Sequence, residues 1–160
     1  MLSVNLIYLG NEKEKYYNEA ADEYIKRLRA FCTFNSKNLK DERLSLSPSE
    51  SEISSALEKE GACILKAIPS KSYKIAMCVE GKQISSEEFA NLLSELPSKG
   101  FSAVTFIIGS SCGLSEEVKK NCDLRLSVSK MTFPHKLFKV MLLEQIYRAF
   151  SIISGGKYHK

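Results

Sequence analysis

The chain opens on an apolar run, Leu2 to Leu9, closed by Gly10, which has the length and punctuation of a strand. Tyr17, Ala20, Ala21, Tyr24, Ile25 and Leu28 then recur at intervals of three and four, the spacing of one helical face. Phe31 to Leu46 is polar and weakly patterned, and reads as a strand followed by an exposed Ser-rich loop, Ser45 to Ser51, around Pro48. Ile53, Leu57, Ile64, Leu65 and Ile68 form the apolar stripe expected of a second helix, which Pro69 ends.

The second half alternates more cleanly. Tyr73 to Val79 predicts a strand, with Gly81-Lys82 turning the chain after it. Ser85 and Glu88 have the spacing of a capping box ahead of Phe89, Leu92, Leu93 and Leu96, and Pro97 with Gly100 breaks that helix. Ala103 to Ile108 is unbroken and apolar, the pattern of a strand buried on both faces of a parallel sheet. The loop Gly109 to Gly113 follows; Ser115 caps a short helix through Lys120, and Leu124 to Val128 is a further strand. The last helix starts near Pro134 and runs through Val140, Met141, Ile146, Tyr147, Phe150 and Ile153 until Gly155-Gly156 releases a tail. Strands alternating with helices imply an α/β fold, a parallel sheet flanked by helices. No linker divides it, so residues 1–160 form one domain with 154–160 as a short tail.

Composition narrows this. With 44% hydrophobic and 26% charged residues, 160 residues suffice for one packed core, and disorder is excluded. No stretch approaches the roughly 18 apolar residues of a membrane span, and the amino terminus lacks the basic and apolar regions of an export signal. The expectation is a cytoplasmic protein with no membrane partner. Five cysteines, odd in number and without a C-x-x-C pair, argue against a disulfide framework; with only His135 and His159 beside them, no metal site is expected. Charge is uneven: Lys130, Lys136, Lys139, Arg148, Lys157 and Lys160 face Glu144 alone, so residues 130–160 carry +5 of a chain whose net charge is +4. That is a footprint for phosphates or a solvated basic helix face, and charge alone does not choose.

Ligands of open α/β sheets bind beyond the carboxyl ends of the strands. Three segments qualify: Met77 to Gly81, Gly109 to Gly113, and Ser129 to His135. Gly109 directly follows the buried strand, where a missing side chain admits close approach, although spacing alone favours an ordinary turn glycine. Neither a dinucleotide fingerprint nor a P-loop occurs. Ser129-Lys130-Met131-Thr132-Phe133-Pro134-His135 places a cation, a hydroxyl, a ring and an imidazole at the mouth of a helix. The plain alternative is a helix entry with Thr132 as cap and Met131 and Phe133 packed inside. Glu144 and Arg148 are spaced as a surface ion pair.

Lys130-Met131-Thr132-Phe133-Pro134-His135, Glu144-Gln145-Ile146-Tyr147-Arg148-Ala149-Phe150 and Tyr158-His159-Lys160 together carry a resemblance. Gly10, Glu60-Gly61, Gly81-Lys82 and Gly109 extend it over the whole chain. The sequence resembles the bacterial RlmH family of SPOUT-superfamily methyltransferases, which act on N3 of a pseudouridine in large-subunit ribosomal RNA. The resemblance implies a carboxyl-terminal trefoil knot, a homodimer, and S-adenosyl-L-methionine held at Met77, Gly109, Val128, Ser129, Lys130, Met131, Thr132 and Phe133. It also implies ribosomal RNA, within an assembled ribosome, as the partner. Deprotonating N3 needs a base or a cation that stabilises the developing anion. His135, Arg148 and His159 are the catalytic candidates, with Lys157, Tyr158 and His159 as substrate contacts. Relatives commonly carry Gly-Gly where this chain has Gly109-Ser110, so strain is expected at Ser110 if that position needs a positive φ. Two alternatives stand beside this reading: a SPOUT methyltransferase with another RNA target, and a non-catalytic RNA-binding domain of the same fold.

Overall fold

Side chains alternate along a strand, so a strand covered on both faces feeds two cores. The computed structural model describes residues 1–159, and Lys160, assigned above to the tail, lies outside the described residues. Within it, β4 (Ala103–Ile108) has no exposed position. It sits at the centre of an all-parallel five-stranded sheet. On one side lie β1 (Ser3–Leu9) and, at the edge, β2 (Thr33–Leu39); on the other lie β3 (Ser72–Gln83) and, at the far edge, β5 (Leu124–Ser127). The sheet order is β2-β1-β4-β3-β5.

Val4, Leu6, Tyr8, Ile75, Met77, Val104, Phe106 and Ile108 point to one core, under α1 (Lys15–Leu28), α3 (Ser86–Glu95) and α5 (His135–Ile153). α5 lies between the other two and packs on both. Ile7, Leu9, Ala76 and Ile107 point to the opposite core, with Ile64 of α2 (Glu50–Ala67) and Val118 of α4 (Glu116–Lys120). A line of polar groups crosses the buried sheet. Asn35 donates to Asn5 (3.2 Å), Asn5 to Thr105 (3.4 Å), and the Thr105 and Ser72 hydroxyls lie 2.6 Å apart. Each satisfies its neighbour, so their burial leaves no orphaned group.

Four local expectations change. α2 begins at Glu50, inside the expected Ser-rich loop, because Ser49 and Glu52 form a capping box. Its buried stripe is Ala56, Glu60, Gly61 and Ile64, while Ile53, Leu57, Leu65 and Ile68 are only partly covered. At α5, Thr132 is exposed and caps nothing, Pro134 holds the cap position, and Met131 is 75% exposed rather than packed inside. Finally, Gly81-Lys82 is no turn. β3 runs through it to Gln83, and an irregularity between Met77 and Lys82 brings both beside Leu126 of β5.

The glycine is needed for approach, not for φ. A Cβ on Gly81 would stand 2.6 Å from the Leu126 carbonyl carbon and 2.7 Å from its nitrogen. Backbone cannot yield as a flexible side chain does. Gly81→Ala is therefore expected to destabilise the fold by about 1–3 kcal/mol, the usual range for overpacking, read as a lower urea midpoint at unchanged slope. An unchanged midpoint would show that β3 and β5 can separate freely there.

Candidate active site

The carboxyl ends of β3, β4 and β5 open into a cavity of about 640 Å³, within the range of small-molecule sites. Its walls are Met77–Glu80, Ile108–Leu114 and Leu126–Ser129, and it is closed by Met131–His135, Lys119 and Phe138. The loop after β4 is folded tightly on itself: Gly113 has φ +83 and donates its amide to the Ser110 carbonyl at 2.8 Å. A Cβ on Gly109 would lie 2.1 Å from the Gly113 carbonyl oxygen. The bare backbone of Gly109 thus serves the loop's own closure. The loop after β5 is shaped by hydroxyls, with Ser127 Oγ donating to the Ser129 carbonyl (2.9 Å) and Ser129 Oγ accepting from Met131 N (3.0 Å).

Ser110 carries no strain. Among the described residues only Lys71 combines a side chain with a positive φ. Instead of straining the loop, the Ser110 hydroxyl donates to the buried carboxylate of Glu60 at 2.9 Å.

Two charged groups enter the cavity wall. Lys119, with a side chain 13% exposed, pairs with Glu80 and with Glu116 at 3.3 Å. Burial opposes its charge, yet the two carboxylates outweigh burial and hold the ammonium above its ordinary value. The hydrogen bond from Lys119 in turn holds Glu80 below the usual carboxylate range. His135 opens α5 beside Gly10, whose built Cβ would meet the imidazole Nε2 at 3.0 Å. The segment carrying Gly10 is tied to the same helix. Lys136 pairs with Glu14 and donates to Asn11 (2.9 Å); Lys139 donates to Glu12 (2.6 Å) and stands 3.9 Å over the Tyr8 ring.

A sequence model described as "Predicted SPOUT methyltransferase" matches residues 2–159. The chain belongs to the SPOUT methyltransferase family. It is 46% identical to the ribosomal RNA large subunit methyltransferase H of Clostridium botulinum, over 99% of this chain and 100% of that one. To the protein of the same description in Streptococcus thermophilus it is 47% identical over the same shares. Among solved structures, a probable methylase family protein from Haemophilus influenzae superposes with a TM-score of 0.55 at 14% identity, covering 100% of this chain and 72% of that one. The tRNA (m1G37) methyltransferase of Aquifex aeolicus does so at 0.52 and 12% identity, with coverage of 91% and 69%. At such identities these two speak for the fold alone. SPOUT methyltransferases take their methyl group from S-adenosylmethionine.

Of the residues assigned to that cofactor, Met77, Gly109, Val128 and Ser129 line the cavity, as do Met131, Thr132 and Phe133. Lys130 is exposed and is not in the wall. Glu80, Lys119, Ser127 and Phe138 also line the cavity, and no motif in the sequence marks them. Glu80 falls within Met77 to Gly81 at a strand's carboxyl end, whereas Lys119 looks like any cation on a short surface helix. The three catalytic candidates do not come together in one protomer. His135 lines the cavity, while Arg148 and His159 meet on another part of α5.

There the tail is docked rather than free. Arg148 Nε donates to Glu144 (3.0 Å), Tyr158 OH donates to the same carboxylate (3.0 Å), and the guanidinium lies 4.8 Å from the Tyr158 ring centre. Burial, with Tyr24 and Glu144 adding to it, pushes the Tyr158 hydroxyl well above its ordinary value. Arg148 Nη1 lies 3.4 Å from His159 Nδ1, and His159 Nε2 lies 2.8 Å from Glu87. A guanidinium only donates and a carboxylate only accepts, so a neutral His159 would carry its proton on Nε2. Lys157 stays exposed.

Because Gly109 closes its own loop, a side chain there attacks the loop before it touches any ligand. Gly109→Val is expected to abolish calorimetric binding of S-adenosylmethionine and also to lower stability by about 1–3 kcal/mol. Lost binding at wild-type stability would show instead that the residue meets only the ligand.

Proposed function

We propose that this SPOUT methyltransferase transfers a methyl group to N3 of a pseudouridine in large-subunit ribosomal RNA. Its substrate is the assembled ribosome, its working form a cytoplasmic homodimer. The observation that carries the reading is the end-to-end 46% identity to proteins described as ribosomal RNA large subunit methyltransferase H. The cavity supports it.

The residues present fit S-adenosylmethionine. Met77, Ile108, Leu114 and Leu126 offer apolar walls, and the turn Gly109–Gly113 and the hydroxyls of Ser127, Ser129 and Thr132 offer polar groups around a volume that suits the molecule. When bound, the cofactor supplies an electrophilic methyl group on a sulfonium. The chain's own task is then to align the nucleophile, exclude water and handle one proton. His135 is placed for the proton: an imidazole at the cavity edge, on a helix turn held by Lys136 and Lys139. Val79, Val128 and Met131, exposed by 46%, 39% and 75%, put apolar surface at the cavity that a docked RNA would cover. Lys130 and Lys157, both exposed, suit phosphates.

Arg148, Tyr158 and His159 lie outside the cavity wall of their own protomer. Two copies placing the tail of one beside the cavity of the other would bring all three candidates to one site.

The test is mass spectrometry of ribosomal RNA from cells lacking the protein. N3-methylpseudouridine should disappear, return with the wild-type chain, and return only weakly with a chain truncated after Gly156. Unchanged methylpseudouridine in the deletion strain rejects the assignment; full restoration by the truncated chain rejects the role of the tail.

A further inference from the structure

One buried carboxylate lies outside this scheme. Glu60 of α2 is 4% exposed, far from the usual place of a glutamate. Both oxygens are used: Oε1 accepts from the backbone N of Glu42 and Oε2 from the Ser110 hydroxyl, each at 2.9 Å. Its neighbour Gly61 reaches the other end of the same loop. A Cβ there would stand 2.6 Å from Ser115 Oγ and 3.3 Å from Val118 Cγ2. Two consecutive residues of one helix therefore brace both ends of the segment 110–115, whose first five residues line the cavity. Glu60 itself is not in the cavity wall, and of its two partners only Ser110 is, so its contact with the cavity runs through that segment.

We propose that Glu60 is a positioning residue for methyl-donor binding, acting through Ser110 to hold the cavity loop in its folded-back shape; this rests on the donor-binding reading of the cavity. The hydroxyl at position 110 then has a defined task. A serine there anchors the loop to α2, an anchor that a glycine cannot supply.

The test compares Glu60→Ala, Glu60→Gln, Ser110→Ala and the double alanine variant of the full chain, by titration with S-adenosylmethionine and by amide hydrogen exchange without it. Glu60→Ala and Ser110→Ala should each raise Kd about tenfold, the scale of one lost hydrogen bond to a charged group. The double variant should be no worse than either single one, because each already removes the Glu60–Ser110 contact, the one that reaches the cavity. Glu60→Gln should stay within about threefold of wild type. Its amide oxygen can accept from Glu42 N while its NH₂ donates to a Ser110 hydroxyl that has rotated. In turnover assays KM for the donor should rise while kcat at saturation holds.

Exchange across residues 109–114 should quicken in both single alanine variants and not in Glu60→Gln. Additive losses, or a Ser110→Ala variant with wild-type affinity and exchange, would overturn the inference, and the latter holds even if Glu60→Ala does not fold. If the wild-type chain binds no S-adenosylmethionine, the donor reading of the cavity fails. Exchange in the donor-free protein then still decides whether Glu60 holds the loop.

Discussion

The parallel hydrogen-bond ladder joining β1, β4 and β3 sets the level at which β4 ends and its neighbours run on past it. Tyr8 and Met77 are both in register with Ile108, and Leu126 of β5 lies beside Met77. All four side chains point into the same core, so a slip of one residue in any strand would turn its apolar set the wrong way. Core packing thereby places on one line the points at which β1 and β3 pass the end of β4. Beyond that line β3 continues from Cys78 to Gln83 while Gly109 opens the loop after β4, and the cavity is the space between those segments and the end of β5. Packing on one side of the sheet and the position of the site are the same constraint seen from two ends.

The helix that closes the cavity is held from outside. α5 begins with His135 and Lys136 and has neither an acidic residue in its first turn nor a side-chain cap. Cations at a helix amino terminus oppose the macrodipole by roughly 0.3–1 kcal/mol each. Glu12 and Glu14 supply the missing negative charge from the segment before α1, through contacts with Lys139 and Lys136. Those two charge-assisted contacts oppose that cost and favour the observed entry. Loss of those acids would loosen the turn bearing His135 before it disturbed the core.

What the sequence made legible follows physical rules that act over short distances. The capping box Ser85/Glu88, the doubly buried run Ala103 to Ile108 and the alternation of elements depend on neighbours in the chain, and all are present. What it hid depends on partners far away. Gly81 looked like a turn because a glycine needed for close approach carries the same letter as one needed for φ; only the Leu126 backbone tells them apart. Ser110 looked strained for want of a view of Glu60, fifty residues earlier. The docking of the tail was out of sight because Glu144 and Glu87, which hold Tyr158 and His159, belong to two different helices. The cavity residues assigned to the cofactor were reachable from the family motif, whereas nothing local marked Lys119 as part of the cavity wall.

The two edges of the sheet govern how the molecule can meet a second copy of itself. β2 presents Thr33, Asn35, Ser36, Lys37 and Asn38 exposed along its length, a polar edge that gains little by leaving water. β5, at the other edge, is four residues long and offers too short a ladder to extend. Neither margin invites a sixth strand. Growth by continuing the sheet, the route by which open parallel folds polymerise, is closed at both ends, and any stable association is left to the helical layers. A protein so built is better suited to meet a copy of itself through its helical faces than through the margins of its sheet.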